Sequence, residues 1–326
     1  IMIPRSLVVA TDYFDEFIKL NGLKYVISRE LDDESILSEF LNSVLPIELH
    51  QKLGVFVKTC TRPLAIRSSS KLEDSHYQPF AGIYSTYMIP YLEDKQEMLR
   101  MLGDAIKGVY ASVYYKDSKA YMQATSNVID QEKMAVILQE VVGTQYGDRF
   151  YYYPIGDEKP EEGVVSLALG LGKYIVDGGL TLRVCPYHPT KVLQTKTMEM
   201  TLRETQTSFY ALDLKNRGEN FSLDDGFNLL KLPIKEAEKN DALQFIASTY
   251  DPYNMEIRDG IYPVGRKLIT FANILKREDF PLARILQLVQ ESGQNEMHRP
   301  VEIEFAVTLN AKEKTGTFYL LQMRPM

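Results

Sequence analysis

Apolar positions along this chain recur with two periods, about 3.6 and 2, and the stretches showing each period are interleaved. Ser6–Ala10 is a short apolar run of strand character. Thr11 stands where a helix N-cap belongs, followed by Asp12, Asp15 and Glu16, whose charge suits the positive end of a helix dipole. Phe14, Phe17 and Ile18 then share one face, and Asn21-Gly22 stops the helix. A second helical pattern covers about Glu34–Leu45, with Ile36, Phe40 and Leu41 on one side. Leu64–Arg67 reads as a strand that runs into a polar loop, Ser68–Pro79. Helical spacing returns from Asp94 to Ala124 through Met98, Leu102, Ile106, Val109 and Val113. Met134–Val142 and Gly163–Leu169, rich in β-branched residues, read as buried strands. Leu223–Ser248 and Leu282–Glu291 are assigned as helices, and Val301–Val307 and Thr317–Arg324 as two closing strands. No internal repeat or low-complexity segment interrupts this order.

The mixture predicts an α/β or α+β protein of two lobes, with the junction near Gln139–Gly147. Residues 1–138 and 139–326 are the expected halves, and 326 residues suffice for two domains. Hydrophobic residues at 45% and charged residues at 25% exclude disorder, collagen and coiled coil as the main architecture. A net charge of −7 argues against a broad nucleic-acid-binding face. No apolar run approaches the roughly 18 residues of a membrane span. The two cysteines, Cys60 and Cys185, form no CxxC pair, which fits a reducing cytoplasm rather than a disulfide scaffold. The chain opens on Ile1-Met2-Ile3-Pro4 and stops on an apolar run at Met326, so a piece of a longer protein is expected.

Four segments could carry chemistry. In Leu64–Asp74, Arg67 at a strand end is followed by Ser68, Ser69 and Ser70, a set of donors that suits a phosphate; a solvated serine turn has the same composition. Ala135–Gly143 is an apolar strand that ends in Gln139-Glu140-Val141, where backbone groups could meet the edge of an adenine or simply enter a turn. Leu169-Gly170-Leu171-Gly172 permits close backbone approach to a phosphate, yet Ile175 breaks the dinucleotide GxGxxG pattern, and a plain turn explains it as well.

The fourth segment is the hairpin proposed from Val301–Val307 and Phe318–Arg324. Strand alternation puts Glu302 and Glu304 on one face, and Gln322 and Arg324 likewise share a face. A hairpin centred near Glu313, with its tip at Lys312–Gly316, sets Glu302 opposite Arg324 and Glu304 opposite Gln322. Ile303, Phe305, Leu321 and Met323 then point into the core. Hard oxygen ligands beside an arginine suit Mg²⁺ on a polyphosphate, and a ladder of exposed charge pairs is the plainer alternative. The histidines at 50, 76, 188 and 298 show no metal spacing, and no GxSxG, HExxH or GxxxxGK[ST] sequence occurs.

Taken in order, these segments resemble the N-terminal nucleotide-binding domain of phosphoenolpyruvate synthase and pyruvate phosphate dikinase. Arg67-Ser68-Ser69-Ser70, Glu73-Asp74 and Phe80-Ala81-Gly82 are similar to the family's RSSA…ED…SFAG. Ala135–Val142 resembles AVxVQxMV, Gly170–Gly178 resembles GLGExVVxG, and Glu302–Ala306 with Leu321–Pro325 resembles DIEWA…LQxRP. The opening, Ile3 to Leu23, is similar to VPxGFVITTxAYxxFLxxNGL.

The resemblance implies an α+β, ATP-grasp fold with a nucleotide cleft between its lobes and ATP and Mg²⁺ as cofactors. It implies phosphorylation of a histidine on a separate domain, which passes the group to pyruvate. By residue match Arg67 and Arg324 would be catalytic, and Glu302 and Glu304 would be metal ligands. Ser68, Ser69 and Gln322 would hold phosphates, and Gln139, Glu140 and Val141 would line the adenine site. The implied partners are phosphohistidine and pyruvate-binding domains of the same longer chain, without nucleic acid or membrane; a homodimer is left open. Departures are Glu302 for aspartate, Lys173 for the glutamate of GLGE, Gly147–Pro154 (with Tyr151 and Tyr153) for GVAFTxNP, and no Lys-bearing Gly-rich segment. They keep two other readings open, an ATP-grasp dikinase with a different acceptor and a non-catalytic nucleotide-sensing module.

Overall fold

The computed structural model describes residues 1–29, 31–70, 84–124, 132–151, 155–159, 163–215, 222–224, 226–239, 243–310, 313 and 315–325. Two compact units form, one from Arg5–Val141 with Leu212–Leu229, the other from Ile1–Pro4, Val142–Ala211 and Leu230–Met326. Both mix helices with antiparallel sheet, so the class is α+β.

The first unit runs β1 (Ser6–Val9), α1 (Thr11–Leu20), α2 (Lys24–Ser28), α3 (Asp33–Asn42), α4 (Ile47–Thr59), β2 (Leu64–Ser70), β3 (Tyr87–Ile89), α5 (Lys95–Ser112), α6 (Lys116–Ala124) and β4 (Met134–Glu140). Its sheet has the order β1-β4-β2-β3. Phe14, Phe17, Phe40, Tyr110 and Tyr114 form a continuous aromatic cluster in the core, with neighbouring ring centroids 5.0–6.4 Å apart. Helix α5 starts on Asp94, whose carboxylate accepts from the N–H groups of Gln96 and Glu97 at 2.9 and 3.2 Å. The stretch 212–229 belongs here through Phe227, packed on Tyr87, and Asn228, whose amide donates to the Met88 carbonyl at 3.0 Å.

The second unit holds β5 (Thr144–Tyr146), β6 (Arg149–Tyr151), β7 (Ile155–Lys159), β8 (Val164–Ala168), α7 (Lys173–Val176), β9 (Leu182–Val184), α8 (Met198–Glu204) and β10 (Ser208–Asp213). It continues with β11 (Leu229–Pro233), α9 (Leu243–Ile246), β12 (Ala247–Asp251), β13 (Glu256–Asp259), β14 (Arg266–Ile269), α10 (Ala272–Leu275), α11 (Leu282–Met297), β15 (Val301–Asn310) and β16 (Thr315–Pro325). Its sheets run β11-β10-β6-β5, β13-β12-β14 and β16-β15-β7-β8-β9. Val301, Ile303, Phe305, Val307 and Phe318 are fully buried on the core face of the last sheet, where the rings of Phe305 and Phe318 stack at 5.0 Å. Burial of each such side chain is worth about 1.5–3 kcal/mol. Gly293 of α11 faces Met323 so closely that a Cβ would lie 2.6 Å from its sulfur, so a larger residue there would have to displace the end of the Met323 side chain.

Several expectations are corrected. Thr11 is the first residue of α1 and not its cap: Ala10 takes the extended cap conformation, and no side chain caps this end. Ser68–Ser70 belong to β2 rather than a loop, because each pairs with a residue of β4. The helical stretch 94–124 divides at Val113–Tyr115 into α5 and α6. Leu223–Ser248 is no helix: it contains β11, a 3₁₀ turn (Ile234–Lys239), the short α9 and the start of β12. Pairing of β11 with β10 and of β12 with β13 and β14 outweighs the local helical spacing there. Helix α4, amphipathic through Leu49, Leu53, Phe56 and Val57, occupies a stretch to which no element was assigned.

Candidate functional site

Strands β15 and β16 pair antiparallel with Glu302 opposite Arg324 and Glu304 opposite Gln322, the register expected from alternation. Arg324 Nε donates to Glu302 Oε2 at 2.5 Å, and the two side chains are 26% and 21% exposed. Beyond this quartet the register shifts by one residue at Glu304/Phe305, so Phe305 faces Leu320. Leu321 is the extra residue of a β-bulge. Leu320 and Met323 pack on the core in its place, which corrects the expectation for Leu321. Met2 braces the same point: its carbonyl accepts from Leu320 N–H, and its N–H donates to the Phe318 carbonyl, both at 3.0 Å. The strands also extend to the pair Asn310/Thr315, so the tip is shorter than 312–316.

Strand pairing continues from the quartet across the sheet. Glu304 pairs with Asp157 of β7, Asp157 with Ser166 of β8, and Ser166 with Arg183 of β9. Sequence reading singled out none of these three residues, because their alignment is a product of strand pairing over as many as 147 positions, from Asp157 to Glu304. Among the described residues no group of three or more His, Cys, Asp or Glu side chains is placed to hold a metal. Glu302 and Glu304 still offer two carboxylates with the Gln322 amide beside them. That hard oxygen set fits Mg²⁺ in the manner in which this ion is usually held, by one or two carboxylates completed by phosphate oxygens and water.

In the first unit, Arg67 lies opposite Ile137 on β4, and Ala65 lies opposite Gln139. Alternation along β2 therefore puts Arg67, Ser69 and Gln139 on one face. Ser68, 8% exposed, shares the opposite face with the core residues Leu64 and Ile66. Glu140 also takes that opposite face and lies 4.0 Å from the Arg5 guanidinium. The N–H groups of Glu140 and Val141 donate to the carbonyls of Arg5 and Pro63 at 2.9 and 2.8 Å. Those two donors are thus committed within the unit, and a base edge would have to be met by other groups of the segment. Glu73, Asp74, Phe80, Ala81 and Gly82 lie outside the described residues, as do His76 and Tyr153.

One carboxylate of this unit escaped sequence reading. Glu132, 7% exposed, precedes β4 and accepts from the Tyr84 hydroxyl at 3.2 Å. Burial pushes its pKa above the usual carboxylate range, opposed by hydrogen bonds from Ser70 and Tyr84. Only the fold reveals it, since a single glutamate in a polar stretch has no signature.

The glycine-rich turn has a packing role. Gly170 has φ +106°, and a Cβ there would lie 2.8 Å from the Tyr210 carbonyl oxygen, the acceptor for Leu171 N–H. Lys173 pairs with Asp177 at 3.4 Å, and Asp177 also accepts from the Tyr210 hydroxyl at 3.0 Å. Tyr151 is fully buried between Tyr146 and Phe209, with centroids at 4.9 Å to each, so it is a core residue.

An arginine–glutamate pair flanked by a second carboxylate and an amide, on one sheet of an α+β chain, suits a nucleotide-binding domain. Comparison with known proteins specifies it: residues 1–326 match the model of the pyruvate phosphate dikinase, AMP/ATP-binding domain, and the chain belongs to that family. It is 24% identical over 355 residues to phosphoenolpyruvate synthase of Aeropyrum pernix, covering all of this chain and 38% of that protein. A probable phosphoenolpyruvate synthase of Methanocaldococcus jannaschii is 24% identical over 61% of the chain and 17% of its own length. The uncharacterized phosphotransferase YvkC of Bacillus subtilis is 26% identical over 55% of the chain and 20% of its own. The chain thus spans well under half the length of these relatives. No helix among the described residues is long and apolar enough to cross a membrane.

Proposed function

We propose that this chain is an ATP-grasp domain that binds Mg-ATP and, as part of a longer phosphoenolpyruvate synthase-like protein of the cytoplasm, transfers a phosphoryl group to a histidine of a separate domain. Pyruvate is the final acceptor in this reading. The observation that carries it is the register that sets Glu302 against Arg324 and Glu304 against Gln322 on one sheet face. Family membership and the two relatives named as phosphoenolpyruvate synthases support it.

Each residue's task follows from its chemistry. Glu302 and Glu304 would hold Mg²⁺, which would supply charge neutralisation for the phosphates. The hydrogen bond from Arg324 Nε to Glu302 fixes the carboxylate's rotamer, and the guanidinium would stabilise phosphate charge beside it. Gln322 donates its amide N–H beside them. Arg67 supplies a rigid fork of donors and Ser69, on the same face, a hydroxyl; Ser68 contributes no side chain to that face. Gln139 and Val141 border the base. Transfer of a phosphoryl group asks chiefly for positioning and charge stabilisation, which this set provides without a covalent role for the domain.

Calorimetric titration of the chain and of the full-length protein with ATP, in Mg²⁺ and in EDTA, tests the reading. Mg²⁺-dependent binding by the full-length protein, abolished in Glu304→Gln, is expected. Absence of nucleotide binding there would overturn it.

A further inference from the structure

A pocket of about 190 Å³, partly open to solvent, lies wholly within the second unit, between the 189–201 segment and the three-stranded sheet with α10. Both walls are held in place independently of any ligand. Gln194 pins the first wall to β9, its carbonyl oxygen accepting from Arg183 N–H and its amide donating to the Thr181 carbonyl, both at 2.7 Å. Thr197 caps α8 by accepting from Met200 N–H at 3.2 Å. In the second wall, fully buried Ser248 bonds Thr270 at 2.6 Å and donates to Asp259 Oδ1 at 3.0 Å, and Lys276 Nζ meets Asp259 Oδ2 at 3.1 Å. A cavity between two such walls is preformed.

The chemistry of its lining selects a ligand. Val192, Met198, Ile257 and Leu275 make an apolar side, which suits a short carbon skeleton. The charged lining residues are Lys196, Lys276 and Asp259, so the site carries one positive charge in excess after the Lys276–Asp259 pair is counted. The Ser248–Thr270–Asp259 chain satisfies its own donors. Thr197 keeps its hydroxyl proton for a ligand, and Thr190 adds a second hydroxyl beside Lys196. The Lys196 ammonium and the two threonine hydroxyls are donors that match the three acceptor oxygens of a phosphate better than the two of a carboxylate. At roughly 30 Å³ per water the space equals about six waters, the scale of a small ligand. We propose that this cavity binds a small phosphate monoester of three or four carbons, its phosphate at Lys196, Thr190 and Thr197 and its carbons on Met198 and Leu275, as a site separate from the nucleotide residues.

Titration of the full-length protein with glycerol 3-phosphate, inorganic phosphate and glycerol tests this, monitored by calorimetry and repeated with saturating ATP. Glycerol 3-phosphate is expected to bind at least tenfold more tightly than inorganic phosphate, with glycerol silent and ATP leaving the affinity unchanged. Lys196→Glu, which reverses the charge at an exposed position, and Met198→Trp, which fills the space, should each weaken it at least tenfold with an unchanged melting temperature. The proposal is overturned if glycerol 3-phosphate fails to bind, if ATP displaces it, if inorganic phosphate binds equally well, or if both variants bind normally.

Discussion

Arg324 and Glu302 face each other directly across β15 and β16, joined by an Nε–Oε2 hydrogen bond of 2.5 Å, with about three quarters of each side chain withdrawn from solvent. Half-buried pairs of this kind act mainly through the cost of leaving one partner alone. Glu302→Gln is expected to destabilise the chain by only about 1 kcal/mol, since the amide oxygen still accepts from Nε. In the full-length protein it should remove Mg²⁺-dependent ATP binding. Urea unfolding and calorimetry measure the two effects separately, and retention of Mg²⁺-dependent affinity would exclude Glu302 as a ligand.

The bulge assigns different loads to two adjacent leucines. Leu320→Ala, which hollows the core beside Phe305, should cost about 2–3 kcal/mol, whereas Leu321→Ala should cost under about 1 kcal/mol. Equal losses in denaturant melts would mean that the register shift at Glu304/Phe305 is misplaced.

Gly170→Ala should destabilise by at least about 2 kcal/mol, because the residue has φ +106° and its Cβ would press on the Tyr210 carbonyl. ATP affinity of the folded fraction should be unchanged, as expected of a packing turn. A stable variant that has lost ATP binding would return the turn to the nucleotide site.

Glu132 yields a pH dependence whose sign is fixed. Burial raises its folded pKa above the unfolded value, so the folded state holds a proton that the unfolded state releases first. Its penalty is absent below the unfolded pKa and grows as pH rises through the window up to the folded pKa. Glu132→Gln should abolish that fall in stability and make the protein more stable at neutral pH. Parallel stability–pH curves for the two proteins would contradict the assignment.

Arg67→Ala in the full-length protein should lower phosphoryl transfer on the order of 10³-fold, and Arg67→Lys should not restore it, for lack of the planar fork. Single-turnover transfer from γ-labelled ATP reports this directly. Near-normal transfer by the alanine variant would remove Arg67 from the reaction.

The sequence by itself determined whatever depends on near neighbours along the chain. Period-2 alternation in Val301–Phe305 and Phe318–Arg324, with polar residues between, was enough to pair Glu302 with Arg324, since a one-residue slip there would bury charge. The ordered motifs, Arg67 among them, were enough to indicate the family. Tertiary structure alone decided what depends on partners far away in the sequence. Leu223–Ser248 carries helical spacing, yet β10, β13 and β14 claim its hydrogen-bonding groups for sheet. The bulge at Leu321 arises where β16 must meet the core, Met2 and β15 at once. Ser68 and Ser69 are chemically alike and adjacent, but pairing of β2 with β4 turns only Ser69 to the face of Arg67. Glu132 and the Ser248–Asp259–Lys276 chain have no local pattern at all, because a buried polar group is defined by what surrounds it, and that is assembled from segments distant along the chain.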